Sequence, residues 1–222
     1  MIELHQTDTG IFYICNYCPK WKFKYASDKE IEITKSLWDF KNGEDESVAY
    51  YEYELLCAIE KIVNQSNFSQ FALASIPSSK MSKTSIIEYC IEDICLWYDL
   101  ALFREGEELH ELFMPDLSIE EDVIELVRKL WRNGKHLHNM SGLLRRSKDI
   151  PASHLHRKRP NYQEQYNTIE CTDSNLDRCA MKLFLIDDIT TTGTSMDVCQ
   201  NILIEHGLAK HNIIKLAIAR TI

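Results

Sequence analysis

Short apolar runs alternate along the chain with stretches whose apolar residues recur every three or four positions. The run Lys182–Ile186 (KLFLI) is almost wholly apolar, as expected of a strand buried on both faces. Residues 213–219 (IIKLAIA) have the same character. Between them Met196, Cys199, Ile202 and Leu203 repeat at helical spacing over 195–206, with Gly207 at the end. Strand, loop, helix and strand in that order predict a βαβ crossover and a parallel sheet. Ligands of such sheets bind at the carboxyl ends of the strands.

Further upstream, Val48, Tyr51, Leu55, Ile59 and Ile62 predict a helix over 47–65. Residues 71–76 (FALASI), stopped by Pro77, predict a buried strand. A second helix fits 84–101, and 103–117 has no decisive pattern. A third helix begins at Ser118, where SIEE has capping-box form, and Gly134 suits its end. A strand near 139–145, a polar basic loop to about 165 and a short strand at 167–171 follow. Residues 10–40 are read as strands (GIFYICNYC, WKFKY and EIEITKSLWDF). The expected organisation is a β-rich N-terminal unit over 1–45 and an α/β core over 46–222. No internal repeat is visible.

The 222 residues suffice for one sizeable core, and no apolar run reaches the length of a membrane span. No export signal is visible at the N-terminus, so the expected location is the cytoplasm. There the eight cysteines read as small buried hydrophobes rather than disulfides. A net charge of −9 argues against generic nucleic-acid binding. The charge is uneven, however: Arg128–Arg159 holds ten of the 25 basic residues and one acid, Asp149. A small polyanion suits that zone.

The densest chemistry lies in DDITTTGTS. Asp187 and Asp188 stand at the end of an apolar strand. Thr190, Thr191, Thr192, Gly193, Thr194 and Ser195 then open a helix. A helix start offers N–H groups and a positive dipole end to a phosphate, and Gly193 permits close backbone approach. The carboxylates suit sugar hydroxyls or the hydration shell of Mg²⁺. Together they point to a phosphorylated sugar.

This stretch resembles the motif by which type I phosphoribosyltransferases bind 5-phosphoribosyl 1-pyrophosphate (PRPP): an apolar strand, two acids, an apolar residue, Thr-Thr-Gly and a hydroxyl residue. The resemblance implies ribose contacts for Asp187 and Asp188, and 5′-phosphate contacts for Thr190 to Ser195. It implies a parallel-sheet α/β fold with helices on both faces and a small N-terminal β-rich hood. FALASIPSSK is similar to the family's pyrophosphate loop, with Ser78, Ser79 and Lys80 as candidate contacts. The segment 143–169 resembles the mobile catalytic loop of ComF-like members. There Arg157 and Arg159 would stabilise departing pyrophosphate, and His154 would serve as general acid. SLWDFKNG at 36–43 is similar to a Phe-Lys segment near the start of that fold. Residues 102–138 resemble a helical insertion.

The implied activity is transfer of phosphoribosyl from PRPP, with Mg²⁺, to an unknown nitrogen acceptor, from a homodimer. The alternative is a non-catalytic PRPP- or nucleotide-sensing domain acting with a protein partner, in DNA uptake or phage defence; nucleic-acid contact would then use the Arg128–Arg159 zone. Cys15 and Cys18 have zinc-ligand spacing, but a tetrahedral site needs four ligands and no second pair follows, so zinc is not expected. His136 and His138 would share a face of a strand and read as surface residues.

Overall fold

The structure, a computed structural model, describes residues 3–103, 118–150, 160–173, 176 and 181–222. Eight strands are present among them: β1 (His5–Gln6), β2 (Phe12–Tyr17), β3 (Gln70–Ser75), β4 (His136–Asn139), β5 (Leu144–Arg146), β6 (Ile169–Cys171), β7 (Lys182–Thr190) and β8 (Ile213–Thr221). The helices are α1 (Asp28–Asn42), α2 (Asp45–Asn64), α3 (Ile86–Phe103), α4 (Ser118–Arg132), α5 (Tyr162–Tyr166) and α6 (Thr194–Glu205).

Six strands form one sheet in the order β1-β2-β8-β7-β3-β4. All neighbours are parallel except the edge pair β1 and β2. The predicted βαβ unit is β7-α6-β8, with Leu183 opposite Ile213 and Thr190 opposite Arg220.

Alternation along the strands gives the sheet two apolar faces. Phe184 and Ile186 join Phe71, Leu73, Leu216 and Ile218 on one face, against residues of α1, α2, α3 and α4. Leu183 and Leu185 join Ala72, Ala74 and Ala217 on the other, against α6. The protein is therefore a mixed α/β fold, with a mostly parallel sheet flanked by helices.

The N-terminal region differs from expectation. In place of a separate β-rich hood, β1 and β2 extend the main sheet, and residues 20–42 are mostly helical. The stretch WKFKY (21–25), read as a strand, lies in a 3-10 helix over Lys20–Tyr25. EIEITKSLWDF lies in α1, which Ser27 and Glu30 start with a reciprocal capping box. Thr34, Leu37 and Phe40 are the buried side of α1, spaced by three residues. The Thr34 hydroxyl accepts from Cys18 N–H at 3.0 Å and donates to its carbonyl at 3.2 Å, which fastens α1 to the end of β2.

The strand expected near 139–145 is two short strands, β4 in the main sheet and β5 paired with β6. The region read as an insertion is partly core: α4 buries Val123, Val127 and Leu130 in the α2–α3 layer, and β4 closes the sheet edge. His136 and His138 lie exposed on β4. No helix among the described residues is long and apolar enough to cross a membrane.

Candidate functional site

Parallel pairing brings the C-terminal ends of β2, β8, β7 and β3 to one edge. β7 runs further than expected: Asp187 and Asp188 lie within the strand, which ends at Thr190. Consecutive strand residues point to opposite faces, so the two carboxylates diverge. Asp188 meets Lys41 in the last turn of α1, with Nζ at 2.7 Å from Oδ2. Its other carboxylate oxygen, Oδ1, accepts from Ile189 N–H at 2.6 Å. Asp187 Oδ1 accepts from Asp188 N–H at 2.9 Å.

Burial pushes the Asp187 carboxyl well above its usual range, and the neighbouring Asp188 charge adds to the rise, against the opposing pull of Lys41. Desolvation works against the Lys41 ammonium, but attraction to Asp188, then Asp187, outweighs it and holds its pKa above the ordinary value. Lys41 is thus the site residue that residue-by-residue reading missed. Its one signal was the Phe-Lys match at 40–41.

The phosphate-loop candidate follows. Thr190 is buried, whereas Thr191 and Thr192 are exposed. Thr191 bonds Thr221 through the hydroxyls at 3.1 Å, and Thr192 bonds Thr194 at 2.9 Å. Gly193 begins α6 in the left-handed region (φ 78°), and no side chain caps the helix. The first N–H groups of a helix have no acceptor within it, so this start retains donors suited to an anion.

A Cβ at Gly193 would stand 2.7 Å from Ile11 Cδ1. Gly193→Ala is therefore expected to cost about 2 kcal/mol through backbone strain and this contact. That is a fall in Tm of roughly 4–8 °C for a chain of this size. Adding Ile11→Ala should recover only the steric part. An unchanged Tm in the single variant would contradict this geometry.

The loop after β3 meets the same edge. Ile76 N–H donates to Ile186 O at 2.8 Å, beside the acid pair. Ser78 and Ser79 are half-buried and Lys80 is exposed. Arg146, buried on β5, donates from Nε to Ser78 O at 3.2 Å and from Nη1 to Thr168 at 2.7 Å. Ile150 N–H donates to Ser79 O at 2.9 Å, and Asp149 accepts from Met81 N–H at 2.7 Å.

His154, Arg157 and Arg159 lie outside the described residues. Both flanks of their segment are nevertheless anchored at this edge. On the N-terminal side the anchors are the bonds to Ser79 and Met81. On the C-terminal side Ser195 Oγ donates to Gln165 Oε1 of α5 at 2.8 Å. Further along α6, away from the edge, Tyr162 accepts from Asn201 at 2.6 Å and Tyr166 donates to Glu205.

The structure thus gathers Asp187, Asp188, Thr190–Ser195 and Ser78–Lys80 along one sheet edge. No group of three or more His, Cys, Asp or Glu side chains suited to a metal ion occurs among the described residues. Cys15 is half-buried on β2, with Sγ directed at Ile218 O (3.6 Å), and Cys18 is buried beyond the strand's end. No protein-family model matches the chain, and no curated protein matches it.

Proposed function

We propose that the chain binds PRPP with Mg²⁺ at this edge and transfers its phosphoribosyl group to a nitrogen acceptor, releasing pyrophosphate. The observation that carries the reading is one continuous stretch, β7 to α6, that offers two carboxylates and then a Gly-led, uncapped helix start. Carboxylates recognise hydroxyls or a hydrated cation, and a helix start recognises a phosphate. A phosphorylated sugar satisfies both within one ligand.

In this reading Asp187 and Asp188 accept from the ribose hydroxyls and offset positive charge on the sugar. Thr191 to Ser195 hold the 5′-phosphate. Ser78, Ser79 and Lys80 receive the pyrophosphate. The bond from C1 to the pyrophosphate oxygen breaks with its electron pair leaving on oxygen, the acceptor nitrogen bonds C1, and that nitrogen gives up its proton. Asp187 or Asp188 would meet the hydration shell of a Mg²⁺ ion brought in on the substrate, which would screen the pyrophosphate charge. Arg157, Arg159 and His154 are the proposed groups that meet the leaving pyrophosphate.

A calorimetric titration with PRPP, with and without Mg²⁺, tests the reading. Mg²⁺-dependent binding is the expected result, and absence of binding under both conditions would overturn it. Pyrophosphate release on adding nucleobases then separates a transferase from a domain that only senses PRPP.

A further inference from the structure

A second surface lies in the 3-10 helix Lys20–Tyr25 (KWKFKY), between the end of β2 and the start of α1. Its rings Trp21 and Tyr25 are 73% and 78% exposed, the highest values of any large apolar side chain among the described residues. Such rings are ordinarily largely covered. The three lysines of the segment each approach an aromatic ring. Lys20 Nζ is 4.5 Å from the Trp38 ring centroid, Lys22 Nζ is 5.0 Å from that of Trp21, and Lys24 Nζ is 4.6 Å from that of Tyr25. Phe23 turns inward and stacks on Trp38 at 5.8 Å. Trp38 also donates to the Tyr17 hydroxyl at 3.3 Å. The segment is therefore seated on β2 and α1, and its two outward rings are held among cations.

We propose that this element is a binding surface for single-stranded nucleic acid, with bases stacked on Trp21 and Tyr25 and phosphates against Lys20, Lys22 and Lys24. Local charge complementarity selects the partner: three cations and no acid occupy these six residues, a positive patch on a chain whose net charge of −9 elsewhere repels nucleic acid. Aromatic rings interleaved with cations are the means by which proteins hold unpaired bases, since every base has a π-face. A duplex hides those faces. Protein interfaces favour aromatic residues but are depleted in lysine. A membrane-lying helix needs a continuous apolar face, which two isolated rings on one short turn do not provide. The surface borders the proposed PRPP site, since Lys22 Nζ donates to Ile222 O at 2.7 Å and the adjoining Thr221 bonds Thr191 at 3.1 Å. Trp21 and Tyr25 are not among the residues assigned to PRPP, so the ring variants test this surface by itself.

The test is fluorescence anisotropy with a labelled oligothymidylate of about twelve nucleotides, at low salt and over a salt series. The expected result is binding whose log affinity falls with log salt at a slope of about −2, for three phosphate contacts. Trp21→Ala and Tyr25→Ala should each weaken it about tenfold or more, while Trp21→Phe retains most of it. Both rings are exposed, so circular dichroism should be unchanged. Oligonucleotide binding equal in the Trp21→Ala/Tyr25→Ala variant would assign it to another surface, such as the Arg128–Arg159 zone, and overturn the proposal. No binding at low salt would also overturn it. So would a ring-dependent response to anionic vesicles without any response to the oligonucleotide.

Discussion

The Asp187→Asn/Asp188→Asn variant should lose PRPP binding by roughly a hundredfold or more and keep its fold. The first half follows from charge. Each carboxylate that accepts from a hydroxyl or a hydrated cation contributes about 1.5–3 kcal/mol, so removing two costs about 3–6 kcal/mol, or roughly 10²–10⁴ in affinity. The second half follows from the state of each acid in the free protein. Burial and Asp188 favour the neutral form of Asp187, to which an amide is a close substitute. Asp188 is paired with Lys41, but the two side chains are 23% and 38% exposed. A pair that open is worth about 0–1 kcal/mol. Tm should therefore move by no more than a few degrees. The raised Asp187 pKa adds a pH signature. A ligand that prefers the carboxylate must expel a proton, so affinity should climb with pH in the wild type and flatten in Asp187→Asn. Unchanged PRPP affinity in the double variant would remove the acid pair from the site.

Glu52→Gln should stabilise the protein above neutral pH. Glu52 is 9% exposed on α2, and its Oε1 has no hydrogen-bond partner among the described residues. Burial, followed by the negative charge of Asp93, pushes its carboxyl from the ordinary 4.5 to about 8. Below pH 4.5 the folded and unfolded chains both hold this proton, and Glu52 contributes no slope. Between 4.5 and 8 the folded chain keeps a proton that the unfolded chain has released, so stability falls as pH rises. Across that window the loss is on the order of a few kcal/mol. Glutamine keeps the shape and cannot titrate. At pH 8 the variant should melt about 5–10 °C above the wild type, and near pH 4.5 the two should converge. Parallel Tm–pH curves would show that Glu52 is not the buried acid described.

The C-terminal third was legible because each local signal agreed there. The apolar runs at 182–186 and 213–219 fit only buried strands, and Gly193 marks a backbone turn that its φ of 78° requires. The same stretch carried the candidate acids and hydroxyls. What it concealed was the strand's full length, since Asp187 and Asp188 look like a strand's end yet continue the ladder opposite Ala217 and beyond. The N-terminal region misled for a physical reason. Trp21, Phe23 and Tyr25 alternate as strand residues do, but the rings of Trp21 and Tyr25 face water and only Phe23 turns in. Over 31–40, Ile31 and Ile33 stand two apart as strand residues do, whereas the buried set Thr34, Leu37 and Phe40 has period three. Ser27-x-x-Glu30 was the available signal for a helix start. Apart from the Phe-Lys match at 40–41, Lys41 was hidden as a site residue because its partner lies 147 positions away in sequence (188 − 41). No local pattern encodes such a pairing.

The strand order has a consequence for how the chain is assembled during synthesis. β2 has β1 on one side, and on its other side only β8. The Cys15–Ile218 contact between them spans 203 positions. A ribosome delivers β2 early and its sheet partner near the end of this sequence. Until β8 emerges, the first hairpin has no sheet to join, while α2, β3, α3 and α4 can already condense. Closing so long a loop is slow. The β1–β2 hairpin should thus be the last to dock, and β8 acts as a keystone that joins it to β7 in one step.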